Sequence, residues 1–188
     1  MSLRSQSTLP YFVVEWVRAG SAAVLGLLIA LTPGHTSHFG LLAFGIYLVI
    51  SAVVVGGSSL GLGHGAPARG LHLWQSLVAL VVGALTLALN DAGIALLLWS
   101  IVLWSVLSGF AEVVAGLRMP SGHPSRRDWL VQGSFALALA LVVLFQSADS
   151  VAVIGFLGAW AIVQGVYGTI SGLSNRWLLV DSTKGTHA

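Results

Sequence analysis

The chain has 188 residues, of which 56% are hydrophobic and only 7% charged, with a formal net charge of +2 and a mean hydropathy of +0.93. A water-facing surface needs about 25% charged residues, so this composition excludes an ordinary soluble domain and points to an integral membrane protein. With no cysteine there is no disulfide, thiol nucleophile or Cys-based metal site, and charges placed singly at span ends offer nucleic acid no basic patch.

The first apolar segment, about residues 16–32, opens at Trp16. Its core from Ala19 to Leu31, behind Arg4 and Arg18, has the outline of a secretory h-region. Glu15 in the leader and Pro33 directly after Thr32 make a poor cleavage junction, so we read a retained first span. Glu15 and Arg18 have the spacing of a local helical ion pair. A tip at 33–37 leads into a second segment at 38–56, followed by a Gly/Ser-rich connector to Gly70. Within that connector, Gly61-Leu-Gly63-His64-Gly65 lacks the Gly-Lys-Ser/Thr ending of a phosphate loop. Trp74 stands at the start of the third segment, 73–89, whose polar tip 90–92 carries Asp91, and the fourth runs 93–117. A basic, proline-containing loop from Arg118 to Asp128 precedes Trp129 and the fifth segment, 129–146. The tip 147–149 ends in Asp149, the sixth segment spans 150–172, and a tail covers 173–188.

These segments repeat. Trp16, Trp74 and Trp129 each open a unit, and about 17 residues later come Pro33, Asp91 and Gln146. The expected fold is an all-α membrane protein in one integral membrane domain, 1–188, with six transmembrane helices. They form three helical hairpins at about 16–56, 74–117 and 129–172. All five prolines lie outside the spans, and the runs lack the alternation of barrel strands. A two-helix unit returns to its starting side, so the three units share one orientation. This is a parallel repeat, unlike the inverted pair common in alternating-access transporters, and it suits a pseudo-threefold bundle.

All eight basic residues fall at the N-terminus, in the connectors after the second and fourth segments, or at the C-terminus, and none lies in a tip. The positive-inside rule then predicts cytoplasmic termini, with Trp16, Trp74 and Trp129 as interfacial anchors at the same face. The tips, with His35, His38, Asp91 and Asp149, are expected in the opposite compartment.

Glu112 is the one carboxylate well inside a span. An intramembrane ionisable group is a candidate for proton- or ion-linked function. It lies only about 9 Å in helical rise from Arg118, so snorkelling to the headgroups or pairing with an arginine is the plainer role. Val54 and Tyr167 are its expected counterparts in the other repeats, which leaves no ring of carboxylates. Asp91, Asp149 and Ser37 stand where a side-chain oxygen caps a helix. With His35 and His38, the two aspartates are also candidate outer-face pH sensors. His64 and His72 lack partners at metal-ligand spacing. Ser108 and Ser171 would need a base, and no His falls inside a span. The small-residue pairs Ala22/Gly26, Gly26/Ala30, Ser105/Gly109 and Gly168/Gly172 suit close helix contacts, and Trp99, Trp104 and Trp160 suit packing or lipid contact. The expectation is a protein without catalytic residues, metal or cofactor.

The recurring unit is a Trp, a Gly-punctuated apolar helix, a short tip and a second Gly-rich helix. Trp16 to Gly26 to Leu31-Thr32-Pro33, Trp74 to Gly83, Gly109 and Gly116, and Trp129 to Gly133, Gly158, Gly165 and Gly172 carry it. This pattern resembles the HdeD-like acid-resistance membrane proteins over about residues 16–172; Asp91 and Gln146 stand where the first tip has Pro33. The resemblance implies a multi-pass bacterial inner-membrane protein linked to acid or stress tolerance, and it carries over no catalytic residues. Its expected partners are the lipid bilayer and either further copies of itself or a membrane partner protein. The alternatives are a small-solute or proton-linked transporter or channel built on Glu112, and a subunit of a larger membrane complex.

Overall fold

The computed structural model describes residues 11–61, 67–121, 124–146 and 149–184. They form six helices and, among the described residues, no strand: α1 (Tyr11–Leu31), α2 (Ser37–Gly61), α3 (Pro67–Ala88), α4 (Ile94–Arg118), α5 (Pro124–Leu144) and α6 (Ser150–Lys184). Five are long and apolar enough to cross a membrane; the apolar part of α1, Trp16–Leu31, is shorter. The chain is an all-helical, multi-pass membrane-type protein.

The helices outrun the expected spans at the ends away from the tips. Proline tolerates the first helical position, where its missing N–H has no intrahelical partner anyway, and Pro67 and Pro124 begin α3 and α5 in this way. α6 takes in most of the expected tail. The three Trp residues therefore lie inside their helices and do not open them.

Local hydrogen bonds fix the tips. Thr36 Oγ1, one residue before the expected Ser37, accepts the Phe39 N–H at 3.2 Å and caps α2. Asp149 Oδ1 accepts the Val151 N–H at 3.0 Å and caps α6 as expected. Asp91 does not cap α4. Its N-cap is Gly93, at φ 84°, a left-handed conformation that glycine adopts without a Cβ clash.

Packing redraws the repeat. The most extensive contacts join α1 to α6, α2 to α3 and α4 to α5, whereas the two helices of each sequence hairpin touch far less. Each tight pair thus spans the connection between hairpins, and α6 closes a ring on α1. Lipid supplies no hydrophobic drive between helices, so association rests on close van der Waals fit, which small residues permit. A Cβ at Gly133 would sit 2.7 Å from the Gly109 carbonyl oxygen, and one at Gly109 would sit 2.8 Å from that of Gly133. Gly83 meets the Gly45 carbonyl oxygen at 3.1 Å in α2–α3, and Gly26 meets that of Gly158 at 3.1 Å in α1–α6. The last seam runs antiparallel, with Trp16 on Gly172, Ala23 on Gly165 and Ile29 on Gly158.

Among the described residues, the even-numbered helices also touch one another across the axis, and the odd-numbered ones do not. The bundle is an inner triad wrapped by an outer triad. One aromatic ring from each inner helix reaches the axis: Tyr47, Trp104 and Trp160 meet edge to face, with centroids 6.2, 6.0 and 5.1 Å apart. Such offset and T-shaped contacts suit the ring quadrupoles. On the tip side of this layer, Phe44, Ile101 and Leu157 come three residues earlier in their helices, all fully buried. Leu41, Leu97, Val153 and Ile154 extend the dry packing toward the tips. Outward-facing apolar side chains such as Leu77, Val81, Phe110 and Val166 are exposed, as lipid contact requires.

Candidate functional site

On the other side of the aromatic layer, toward the end bearing both termini, the axis turns polar. Each outer helix places one long polar side chain inward near its start: Arg18 from α1, Gln75 from α3 and Gln132 from α5. One turn beyond the aromatic residues, the inner helices contribute Ser51, Ser108 and Gln164. Two turns beyond them come Val55, Glu112 and Gly168. The register of the aromatic layer therefore moves the counterparts of Glu112 by one residue, from Val54 and Tyr167 to Val55 and Gly168. Glu112 remains the single carboxylate of its layer.

Glu112 is buried, with its side chain 6% exposed. A buried carboxylate loses several kcal/mol of hydration, roughly, unless it is paired and hydrogen-bonded. Both conditions are met. Gln75 Nε2 donates to Glu112 Oε1 at 2.6 Å, and Arg18 Nη2 reaches the same oxygen at 3.3 Å. Helices from the first and second repeats thus converge on one acceptor. Arg18 meets Glu112 across the bundle; the Glu15 side chain of the expected local pair lies outside those described.

A cavity of about 30 Å³ lies against these groups, lined by Arg18, Gln75, Ser108, Glu112 and Gln164 and floored by Tyr47, Trp104 and Trp160. A second of about 20 Å³ shares Arg18, Tyr47 and Gln164 with it and adds Gln132. On the terminal side of both, Asp128 accepts the Tyr167 hydroxyl at 3.0 Å and the Ser171 hydroxyl at 2.7 Å, tying α5 to α6.

The expected outer-face residues divide into separate environments. His38 and Asp91 come together, Nδ1 donating to Oδ1 at 3.0 Å, and so join the first tip region to the second. Nε2 of His35 instead donates to the Ile29 carbonyl at 3.1 Å, and Asp149 serves its own helix. The anchors differ too. Trp74 is 44% exposed, with its indole N–H toward the Leu107 carbonyl at 3.4 Å. Trp16 is half-buried on Gly172. Trp129 is buried within the bundle and does not reach its perimeter.

His72, expected outside the spans, lies inside α3 and is buried; its Nδ1 approaches Ser58 Oγ at 3.5 Å. The Ser58 hydroxyl donates to the Val55 carbonyl at 2.7 Å, so its proton is directed at the backbone and away from the imidazole. His64 lies outside the described residues. Among the described residues no three His, Asp or Glu gather as metal ligands.

Sequence reasoning singled out Glu112 but missed Gln75, Gln132 and the interior role of Arg18. A signal was present: each repeat Trp is followed within three residues by one long polar side chain, in Trp16-Val-Arg18, Trp74-Gln75 and Trp129-Leu-Val-Gln132.

Comparison with known proteins gives one family likeness. Residues 74–145 match a family model described as a short repeat of unknown function (DUF308). Neither a curated protein nor a solved structure was found to match the chain. The matched stretch begins at Trp74 and takes in most of α3 and all of α4 and α5, so it contains Gln75, Glu112, Gln132 and the Gly109–Gly133 seam. What this chain shares with that family is a membrane-type helical repeat.

Proposed function

We propose that this chain is a non-enzymatic inner-membrane protein of HdeD type that contributes to acid or stress tolerance in a bacterium, with both termini cytoplasmic. The observation that carries the reading is the tip-side half of the axis. It is filled by Phe44, Ile101, Leu157 and their neighbours, all fully buried and apolar, beneath the Tyr47–Trp104–Trp160 layer. A solute or proton path needs polar lining along its length, and the side chains that fill the axis here are apolar. The basic residues grouped at one end of the helices support the orientation. The repeat family matched by residues 74–145 is compatible with the HdeD likeness.

The second reading, a proton-linked transporter, is favoured by one observation: Glu112 is buried beside a cavity and bonded to Arg18 and Gln75. Two measurements separate them. Expression in an acid-sensitive bacterial host should raise survival after acid shock, and purified protein in liposomes carrying a pH-sensitive dye should give no proton flux above empty liposomes. Unchanged survival defeats the stress-tolerance reading. Flux that disappears in Glu112→Gln replaces it with the transporter.

A further inference from the structure

Four buried side chains facing the axial cavity carry polar atoms that make no hydrogen bond within the protein: Ser51 Oγ, Gln75 Oε1, Ser108 Oγ and Trp160 Nε1. Gln75, Ser108 and Trp160 are 6%, 4% and 7% exposed. Buried polar groups are rarely left without a partner, and each such group costs roughly 1–3 kcal/mol. The set combines an acceptor on Gln75, a donor on Trp160 and hydroxyls that do both on Ser51 and Ser108. Arg18 and Glu112 face the same space with opposite charges, so it does not select an ion of either sign. The guest it suits is small, uncharged, and able to donate and accept.

The volume decides its size. A site needs about 10–15 Å³ on this measure to hold one water, so about 30 Å³ takes two waters and the adjoining 20 Å³ takes one more. Access is one-sided. The tip side is closed by the aromatic layer and the fully buried residues beneath it. Arg18 borders both spaces and keeps 21% of its side chain exposed.

We propose that the axial cavity is a hydration site, entered beside Arg18 from the end bearing both termini, whose waters complete the hydrogen bonds of Ser51, Gln75, Ser108 and Trp160. The site is a dead end, so it hydrates the Glu112 environment without connecting the two faces of the membrane. It stands independently of any part in stress tolerance.

The absence of native cysteine makes the test direct. Ser108→Cys lines the cavity, whereas Ser100→Cys, two turns nearer the tips and equally buried, samples the dry half. Each variant is reconstituted, exposed to silver ion from one face at a time, then unfolded and alkylated. Ser108→Cys should lose alkylation only after silver is given from the terminal face, and Ser100→Cys should stay fully alkylated. Full alkylation of Ser108→Cys after silver from either face, or silver reaching it from the tip face, overturns the proposal. Radiolytic hydroxyl labelling of the unsubstituted protein guards against a substitution that disturbs folding. Bound water should direct oxidation to Trp160, and an unlabelled Trp160 in the folded protein refutes the site.

Discussion

Gly133→Ala tests whether the α4–α5 seam, which joins two different sequence hairpins, is a true packing unit. The added Cβ would lie 2.7 Å from the Gly109 carbonyl oxygen, 2.9 Å from Val113 Cγ2 and 3.0 Å from Glu112 Cβ. A carbon and a carbonyl oxygen settle at about 3.3–3.6 Å, so the helices must part by roughly 0.6–0.9 Å. The obstacle is backbone and has no rotamer through which to yield. A gap of that size forfeits about a quarter to a half of the dispersion energy of the contacts it opens, and overpacking of this kind costs about 1–3 kcal/mol. Gly155→Ala is the control, since nothing lies within 4 Å of its new Cβ. It carries only the gain in helix propensity, up to about 1 kcal/mol. Reversible unfolding in mixed micelles should place Gly133→Ala below Gly155→Ala by about 1–3 kcal/mol, with Gly109→Ala falling beside it. If Gly133→Ala unfolds together with Gly155→Ala, the close α4–α5 approach is wrong.

Four other outcomes follow from contacts elsewhere in the bundle. Glu112→Gln should lower stability by about 2 kcal/mol, less than the 3–5 of a fully buried pair because Arg18 keeps 21% of its side chain exposed. Adding Arg18→Gln should restore part of that loss, and an additive double variant would show the pair to be uncoupled. Ala23→Cys with Gly165→Cys should form an oxidant-dependent disulfide that holds α1 to α6 after proteolysis between them, since these positions touch; failure to link would open the ring. Asp149→Ala removes the α6 cap and should cost about 1 kcal/mol. Asp91→Ala loses only an exposed pair with His38 and should stay within about 1 kcal/mol of the parent, as thermal unfolding would show.

The three repeats were legible because their boundaries are chemical: Trp near one end, a polar tip at the other. The pairing of helices was not. Spans that are apolar on every side carry no inward-facing stripe, so nothing in their periodicity says which neighbour each helix prefers. Trp99 and Trp104 illustrate the difficulty. Five residues apart in one apolar helix, the first is 61% exposed and the second closes the axis. Glycines marked close contacts at Gly26, Gly109 and Gly172 but gave no partner. Glu112 stood out as a charge in a span, and Arg18 did not, because a basic residue near a span end is expected at the headgroups whichever way it points. Trp129 was misplaced for a related reason. A Trp beside a basic loop suggests the membrane surface, but its place in the sequence does not say which side of the helix faces the bundle, and Trp74 and Trp129 differ in this.

A ring closed by its first and last helices bears on how the chain is made. α2 finds α3, and α4 finds α5, soon after each emerges. α1 must remain in the bilayer until α6 is synthesised, roughly 120 residues later, or about 6–24 s at ordinary translation rates. Throughout that interval the face of α1 that receives the α6 glycines, formed by Trp16, Ala23, Gly26 and Ile29, is open to any other helix in the membrane. The half-made protein is therefore most vulnerable at its oldest segment, and a stop or slowing within α6 leaves a bundle with a gap that a helix from another chain could fill.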